Sequence, residues 1–216
     1  MKRFLLCLLL LFSVSASAEQ LNLLVFGDSL SAGYKLKRKE SFASQLEEAL
    51  IQKGYQIKVT NHSLSGATTA DGLKRLKPAL AKKPDAIILE LGANDMLQKL
   101  DLPQTKKNLQ ILIAAFKQKN IPILLAGMEA SLTLPEEYRT AFRQMYSDLA
   151  LTNDLLLYPF FMNGLWNDDG TPVSADYFLL DHMHPTEQGV EVMVRNILPV
   201  VEQFIREDVA DLTIKK

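Results

Sequence analysis

Leu21-Asn22-Leu23-Leu24-Val25-Phe26-Gly27-Asp28-Ser29-Leu30 decides how the rest of the chain is read. Six mostly apolar residues, the length of one buried strand, run into a glycine and then into small polar residues that begin turns and cap helices. Four more segments read as strands: Tyr55 to Asn61, Asp85 to Leu91, Ile121 to Ala126 and Asp154 to Tyr158. Ile57 and Val59 alternate with polar residues in the first of these, the pattern of an edge strand. Between and after the strands the apolar spacing changes to that of helices, over Glu40 to Lys53, Ala70 to Lys82, Leu102 to Lys119, Pro135 to Leu151 and Pro185 to Arg206. Ala70 to Lys82 should be perturbed near Pro78, and residues 160 to 183 show no clear period and read as a long loop. Strands alternating with helices predict a doubly wound α/β sandwich of three layers around a five-stranded parallel sheet. In such sheets ligands bind at the carboxyl ends of the strands, so the chemistry belongs in the segments that follow them.

Composition narrows the function. The chain has 216 residues, with 24 Lys and Arg against 25 Asp and Glu, for a net charge of −1. No basic excess is present to neutralise a phosphate backbone, which argues against nucleic acid as a partner. One cysteine and three histidines leave no Cys₄ or Cys₂His₂ zinc cluster and no disulfide framework. Residues 1–18 read as a cleaved secretory signal: Lys2 and Arg3, an apolar run from Phe4 to Phe12, then Ala16-Ser17-Ala18. The run is half of what a spanning helix needs. Cleavage after Ala18 would leave residues 19–216 as one periplasmic or secreted domain without cysteine, with no stable membrane insertion and no obligate protein partner evident.

Behind the strands stand Gly27-Asp28-Ser29-Leu30, then Asn61-His62-Ser63-Leu64-Ser65-Gly66, then Gly92-Ala93-Asn94-Asp95, and finally Asp181-His182-Met183-His184-Pro185. A serine hydroxyl needs an adjacent base to act as a nucleophile. His184 has a carboxylate, Asp181, three residues before it, near enough to hold the imidazole and stabilise its charged form. Pro185 suits a first helical turn and would pin the histidine. An oxyanion formed at an ester carbonyl needs donors, and the Asn94 amide and the backbone N–H groups of Gly66 and Ser29 qualify. Each residue also has an ordinary reading. Ser29 could cap a helix, Gly66 could serve a turn, Asn94 and Asp95 could form a turn and cap, and Asp28 could satisfy loop amides. Asp181, His182 and His184 could be metal ligands, but no further carboxylate cluster accompanies them, so no metal is expected. Neither G-x-G-x-x-G nor a P-loop is present to support a flavodoxin-like binding module.

The four blocks, in this order over residues 21–206, resemble the SGNH hydrolases, the GDSL esterase/lipase family. Gly92-Ala93-Asn94-Asp95, Leu124 to Met128 and Tyr158-Pro159-Phe160-Phe161 resemble its periplasmic arylesterase branch, whose relatives act as acyl-CoA thioesterases and lysophospholipases. The resemblance implies a flavodoxin-like SGNH hydrolase fold. It also implies a cofactor-free hydrolase of small-molecule acyl esters or thioesters with a Ser29–His184–Asp181 triad. The oxyanion hole would be formed by Ser29, Gly66 and Asn94. His62 stands where the family commonly has a small residue and is expected to face solvent. Met96, Leu97, Met128, Leu132, Phe178 and Leu179 flank the blocks and are candidates for an acyl groove that would favour medium chains over acetyl. A carbohydrate O-deacetylase on the same fold is the alternative.

Overall fold

The computed structural model describes residues 20–209, and the proposed leader at 1–18 lies outside the described residues. Five parallel strands, β1 (Leu21–Phe26), β2 (Ile57–Asn61), β3 (Ala86–Leu89), β4 (Ile123–Ala126) and β5 (Leu156–Tyr158), form one sheet in the order β2-β1-β3-β4-β5. The chain leaves β1 toward β2 on one side and continues to β3 on the other. The strand order therefore reverses beside β1, at the kind of crevice where open α/β sheets place ligands.

Central strands β3 and β4 are buried along their whole length, while β2 alternates buried and exposed residues as an edge strand must. Helices α2 (Phe42–Gln52) and α7 (Glu187–Phe204) pack together on one face of the sheet, and α3 (Thr69–Leu80), α5 (Leu102–Lys117) and α6 (Glu136–Asn153) on the other. Two short helices, α1 (Ser29–Ala32) and α4 (Ala93–Leu97), follow β1 and β3 directly. Helix α3 runs through Pro78 with two residues to spare, and its start is secured by a reciprocal cap between Thr68 and Asp71.

Several boundaries differ from the sequence reading. β3 stops at Leu89 because Glu90 and Leu91 turn toward Gly92, and β2 starts only at Ile57. Pro185 is not in the first turn of α7. It pairs with Phe178 in an isolated bridge, and Thr186 caps the helix by accepting the Gly189 N–H at 3.2 Å. The segment 160–183 contains a 3-10 turn at Ala175–Tyr177 and a second bridge between Trp166 and Pro172.

Candidate active site

At the end of β1 the chain must pass Gly27 without a side chain. A Cβ there would lie 2.2 Å from Ser31 Oγ and 2.3 Å from Glu90 Oε2. Asp28 then caps α1 by accepting the Leu30 N–H at 3.0 Å, and Gly33, at φ 81°, ends the helix after one turn. Ser29 is thereby fixed as the first residue of α1, at the carboxyl edge of the sheet beside the strand-order reversal.

His184 reaches this serine from a pinned loop. The Phe178–Pro185 bridge closes its base, the Leu179 N–H donates to the His184 carbonyl at 2.8 Å, and the His182 N–H donates to the Leu179 carbonyl at 2.8 Å. His182 completes the turn at φ 54°. Inside the loop, Asp181 Oδ1 accepts the N–H groups of Met183 and His184, each at 3.0 Å, and Oδ2 lies 3.0 Å from His184 Nδ1. On the opposite side of the ring, His184 Nε2 is 2.9 Å from Ser29 Oγ, and the Tyr34 ring lies 4.3 Å from the imidazole. Desolvation acts to raise the Asp181 carboxyl, but the His184 N–H, the His184 ring and the Met183 N–H outweigh it and hold the group at about 2.

The candidate oxyanion donors stand on three adjoining turns. Gly92, at φ 123°, leads into α4, and a Cβ there would meet Tyr146 Oη at 2.3 Å; that hydroxyl instead donates to the Leu91 carbonyl at 2.9 Å. The turn presents Asn94, whose amide donates to Asp28 Oδ2 at 3.0 Å. Gly66, at φ 78°, sits on an exposed loop tied to the nucleophile turn by the Leu64 N–H, which donates to the Gly27 carbonyl at 3.1 Å. Among the described residues the N–H groups of Ser29 and Gly66 have no protein acceptor.

Other residues serve the frame. Asp95 is buried and accepts from Thr69 N–H at 2.8 Å, Thr69 Oγ1 at 2.5 Å and Thr105 Oγ1 at 3.2 Å, tying α3 to α5. His62 does not face solvent: its ring is half-buried, stacked on Phe26 at 5.8 Å, because the Arg75 guanidinium takes the His62 carbonyl at 2.7 Å and draws the loop inward. The candidate groove residues divide. Met96 and Met128 are buried in the core, Phe178 is buried against Trp166 at 4.5 Å, Leu179 is half-buried, and Leu97 and Leu132 are exposed.

Glu90 is the residue that the sequence reading passes over. It stands inside the apolar run from Asp85 to Leu91, and a lone carboxyl in a central strand is itself a signal, because burying it is costly. Glu90 Oε2 accepts from Ser31 Oγ at 2.8 Å and from the Asp28 N–H at 3.2 Å, so it underlies the turn that carries Ser29. Burial and the neighbouring Asp28 push Glu90 well above the ordinary carboxylate range, and burial raises Asp28 to about 6 against the Leu30 N–H and the Asn94 amide. A carboxyl with a raised folded pKa holds its proton where the unfolded chain has lost it. Its contribution is therefore fully present below the unfolded value, about 4.3, and is lost as pH rises toward the folded value. Glu90→Gln keeps an acceptor oxygen and cannot ionise. Its melting temperature is expected to equal that of the parent near pH 4 and to exceed it at pH 8, leaving only the shallower slope from Asp28. Parallel melting curves against pH for the two proteins would refute this assignment.

Residues 25–192 match the model of the GDSL-like lipase/acylhydrolase family. The chain is 31% identical over 200 residues to esterase TesA of Pseudomonas aeruginosa, covering 92% of this chain and 96% of that protein. It is 36% identical over 192 residues to the thioesterase 1/protease 1/lysophospholipase L1 of Escherichia coli K12, covering 83% and 88%. Among solved structures, AlinE4, an SGNH-hydrolase family esterase, superposes with a TM-score of 0.70 at 38% identity over 86% of this chain and 96% of that one. The fold is that of these hydrolases, which are named as esterases or, for the Escherichia coli protein, as a thioesterase and lysophospholipase. The matched span includes all four post-strand turns, and the chain, a carboxylic ester hydrolase, belongs to the GDSL-like lipase/acylhydrolase family.

Proposed function

We propose that the protein is a secreted serine hydrolase that cleaves acyl esters, thioesters and lysophospholipids through an acyl-enzyme on Ser29. The observation that carries this reading is the continuous chain from Ser29 Oγ to His184 Nε2 at 2.9 Å and from His184 Nδ1 to Asp181 at 3.0 Å. Ser29 Oγ attacks the acyl carbonyl as its proton passes to His184 Nε2. Asp181, ionised, holds the other ring nitrogen and balances the imidazolium. The Ser29 and Gly66 N–H groups and the free proton of the Asn94 amide receive the oxyanion, each such donor being worth roughly 3 kcal/mol in the transition state. His184 returns the proton to the departing alkoxide or thiolate. Water then attacks the acyl-serine by the same route and restores the hydroxyl. No cofactor takes part. The leader at residues 1–18 directs the chain out of the cytoplasm, and residues 19–216 form the catalytic domain.

The test is a panel of p-nitrophenyl esters of graded chain length, an acyl-CoA and a lysophospholipid, assayed with and without prior exposure to a serine-directed fluorophosphonate. Cleavage is expected from acetyl upward, with kcat/KM rising toward medium chains as the acyl tail covers apolar side chains of the open rim, each methylene so covered contributing up to about 0.8 kcal/mol. The reagent is expected to remove all of it. Activity that survives stoichiometric fluorophosphonate labelling would exclude the serine mechanism, and strict acetyl specificity would favour the O-deacetylase.

A further inference from the structure

Ten large apolar side chains are exposed among the described residues, and their distribution is uneven. Ile51, Ile111 and Leu151 lie on the flanking helices. The other seven all stand on segments that follow the carboxyl ends of strands: Leu64 after β2, Leu97 and Leu100 after β3, Leu132 after β4, and three more after β5. Leu180, next to Asp181, is the extreme case, with 98% of its surface in water. A side chain so placed on a loop held by several hydrogen bonds packs against nothing in its own protein. Soluble proteins rarely gather exposed apolar groups at one end unless a partner covers them.

A cationic strip begins at the same place. Lys35, Lys37, Arg38 and Lys39 are all exposed and follow Tyr34, whose ring lies tilted against His184. Lys35 Nζ lies 5.1 Å above the Tyr34 ring, so the strip starts at the rim of the site. Only Lys37 has a carboxylate partner, Glu40 at 3.3 Å; Lys35, Arg38 and Lys39 form no ion pair among the described residues. The charge on the Tyr34 side of this rim is therefore complementary to a surface that is apolar within and anionic at its face, whereas the exposed Glu129, Asp168, Asp169 and Asp176 on the segments after β4 and β5 are not.

We propose that the active-site end of this molecule docks reversibly on anionic phospholipid surfaces, with Leu64 and Leu180 entering the headgroup boundary and Lys35, Arg38 and Lys39 meeting the phosphates. The inference goes beyond the proposed reaction and does not depend on it. No helix among the described residues is long and apolar enough to cross a membrane, so the contact is a surface contact made by loops. It would bring Ser29 to single-chain lipids at the interface, so the open rim that replaces a closed groove is suited to substrate that arrives from an aggregate.

The test is co-sedimentation of the full chain with vesicles of phosphatidylcholine alone and of phosphatidylcholine with about 30% phosphatidylglycerol. Four proteins are compared: the parent, Ser29→Ala, Leu64→Ser/Leu180→Ser, and Lys35→Ala/Arg38→Ala/Lys39→Ala. All carry the same N-terminus, so differences among them report this face alone. The parent and Ser29→Ala are expected to bind the anionic vesicles equally, and at least about fivefold more than the neutral ones. Each multiple variant is expected to lose most of that binding while hydrolysing p-nitrophenyl acetate at the parental rate. Binding unaffected by either multiple variant, or equal on both vesicles, would overturn the proposal. So would a lipid-free dimer in analytical ultracentrifugation that Leu64→Ser/Leu180→Ser dissociates, which would assign the face to a second copy.

Discussion

Ser29→Ala is expected to lower kcat/KM on p-nitrophenyl butyrate by on the order of 10⁴ or more, with no loss of thermal stability. The size follows from the reaction itself: without the hydroxyl no acyl-enzyme forms, and what remains is binding and oxyanion stabilisation acting on water. The absence of a folding cost follows from the structure. Ser29 Oγ makes one side-chain hydrogen bond, to His184, while the cap of α1 belongs to Asp28 and the hydroxyl bond to Glu90 belongs to Ser31. Circular dichroism and a melting curve, measured beside the kinetics, separate a missing nucleophile from a damaged turn. A well-folded Ser29→Ala protein with near-parental turnover would end the serine mechanism.

His184→Ala is expected to be within about tenfold as damaging as Ser29→Ala, because the members of such a unit fail together. The informative control is its neighbour. His182 holds φ at 54°, where asparagine is tolerated better than alanine, so His182→Asn removes the imidazole while sparing the turn. It is expected to cost less than about threefold. The two histidines stand two positions apart on one loop, yet only His184 contacts both Ser29 and Asp181. If His182→Asn proved the more severe change, the base would be wrongly assigned.

How far such roles can be read from a sequence depends on what kind of contact creates them. The strands were legible because each is a short apolar run bounded by a turn, and the Asp181–His184 pair because its members are close in sequence. Ser29, Gly66, Asn94 and His184 could be proposed together because a parallel sheet delivers every post-strand turn to the same edge. Glu90 was not legible in the same way. Its meaning comes from Gly27 and Ser31, far earlier in the chain, and from a close approach that only the paired strands create. The short helix α4 was hidden because five residues offer too little period to distinguish a helix from a turn. The exposure of the candidate groove residues Leu97 and Leu132 was not legible for a related reason: apolar character says that a side chain prefers cover, but not whether its own chain supplies it.

The loop that carries Asp181 and His184 has one further consequence. The carboxylate and the imidazole are joined within a single turn, whereas the serine lies 155 residues away and meets that turn through one hydrogen bond. The proposed apparatus is thus built in two pieces, a serine seated at the start of α1 on the sheet edge and a loop, or arm, that carries the carboxylate and imidazole already joined. Wear on the hinges of that arm, the bridge between Phe178 and Pro185 or the bond from the Thr186 N–H to the Tyr177 carbonyl, would shift acid partner and base in concert. Evolution can therefore retune the reach of the arm without having to rebuild the pair it carries.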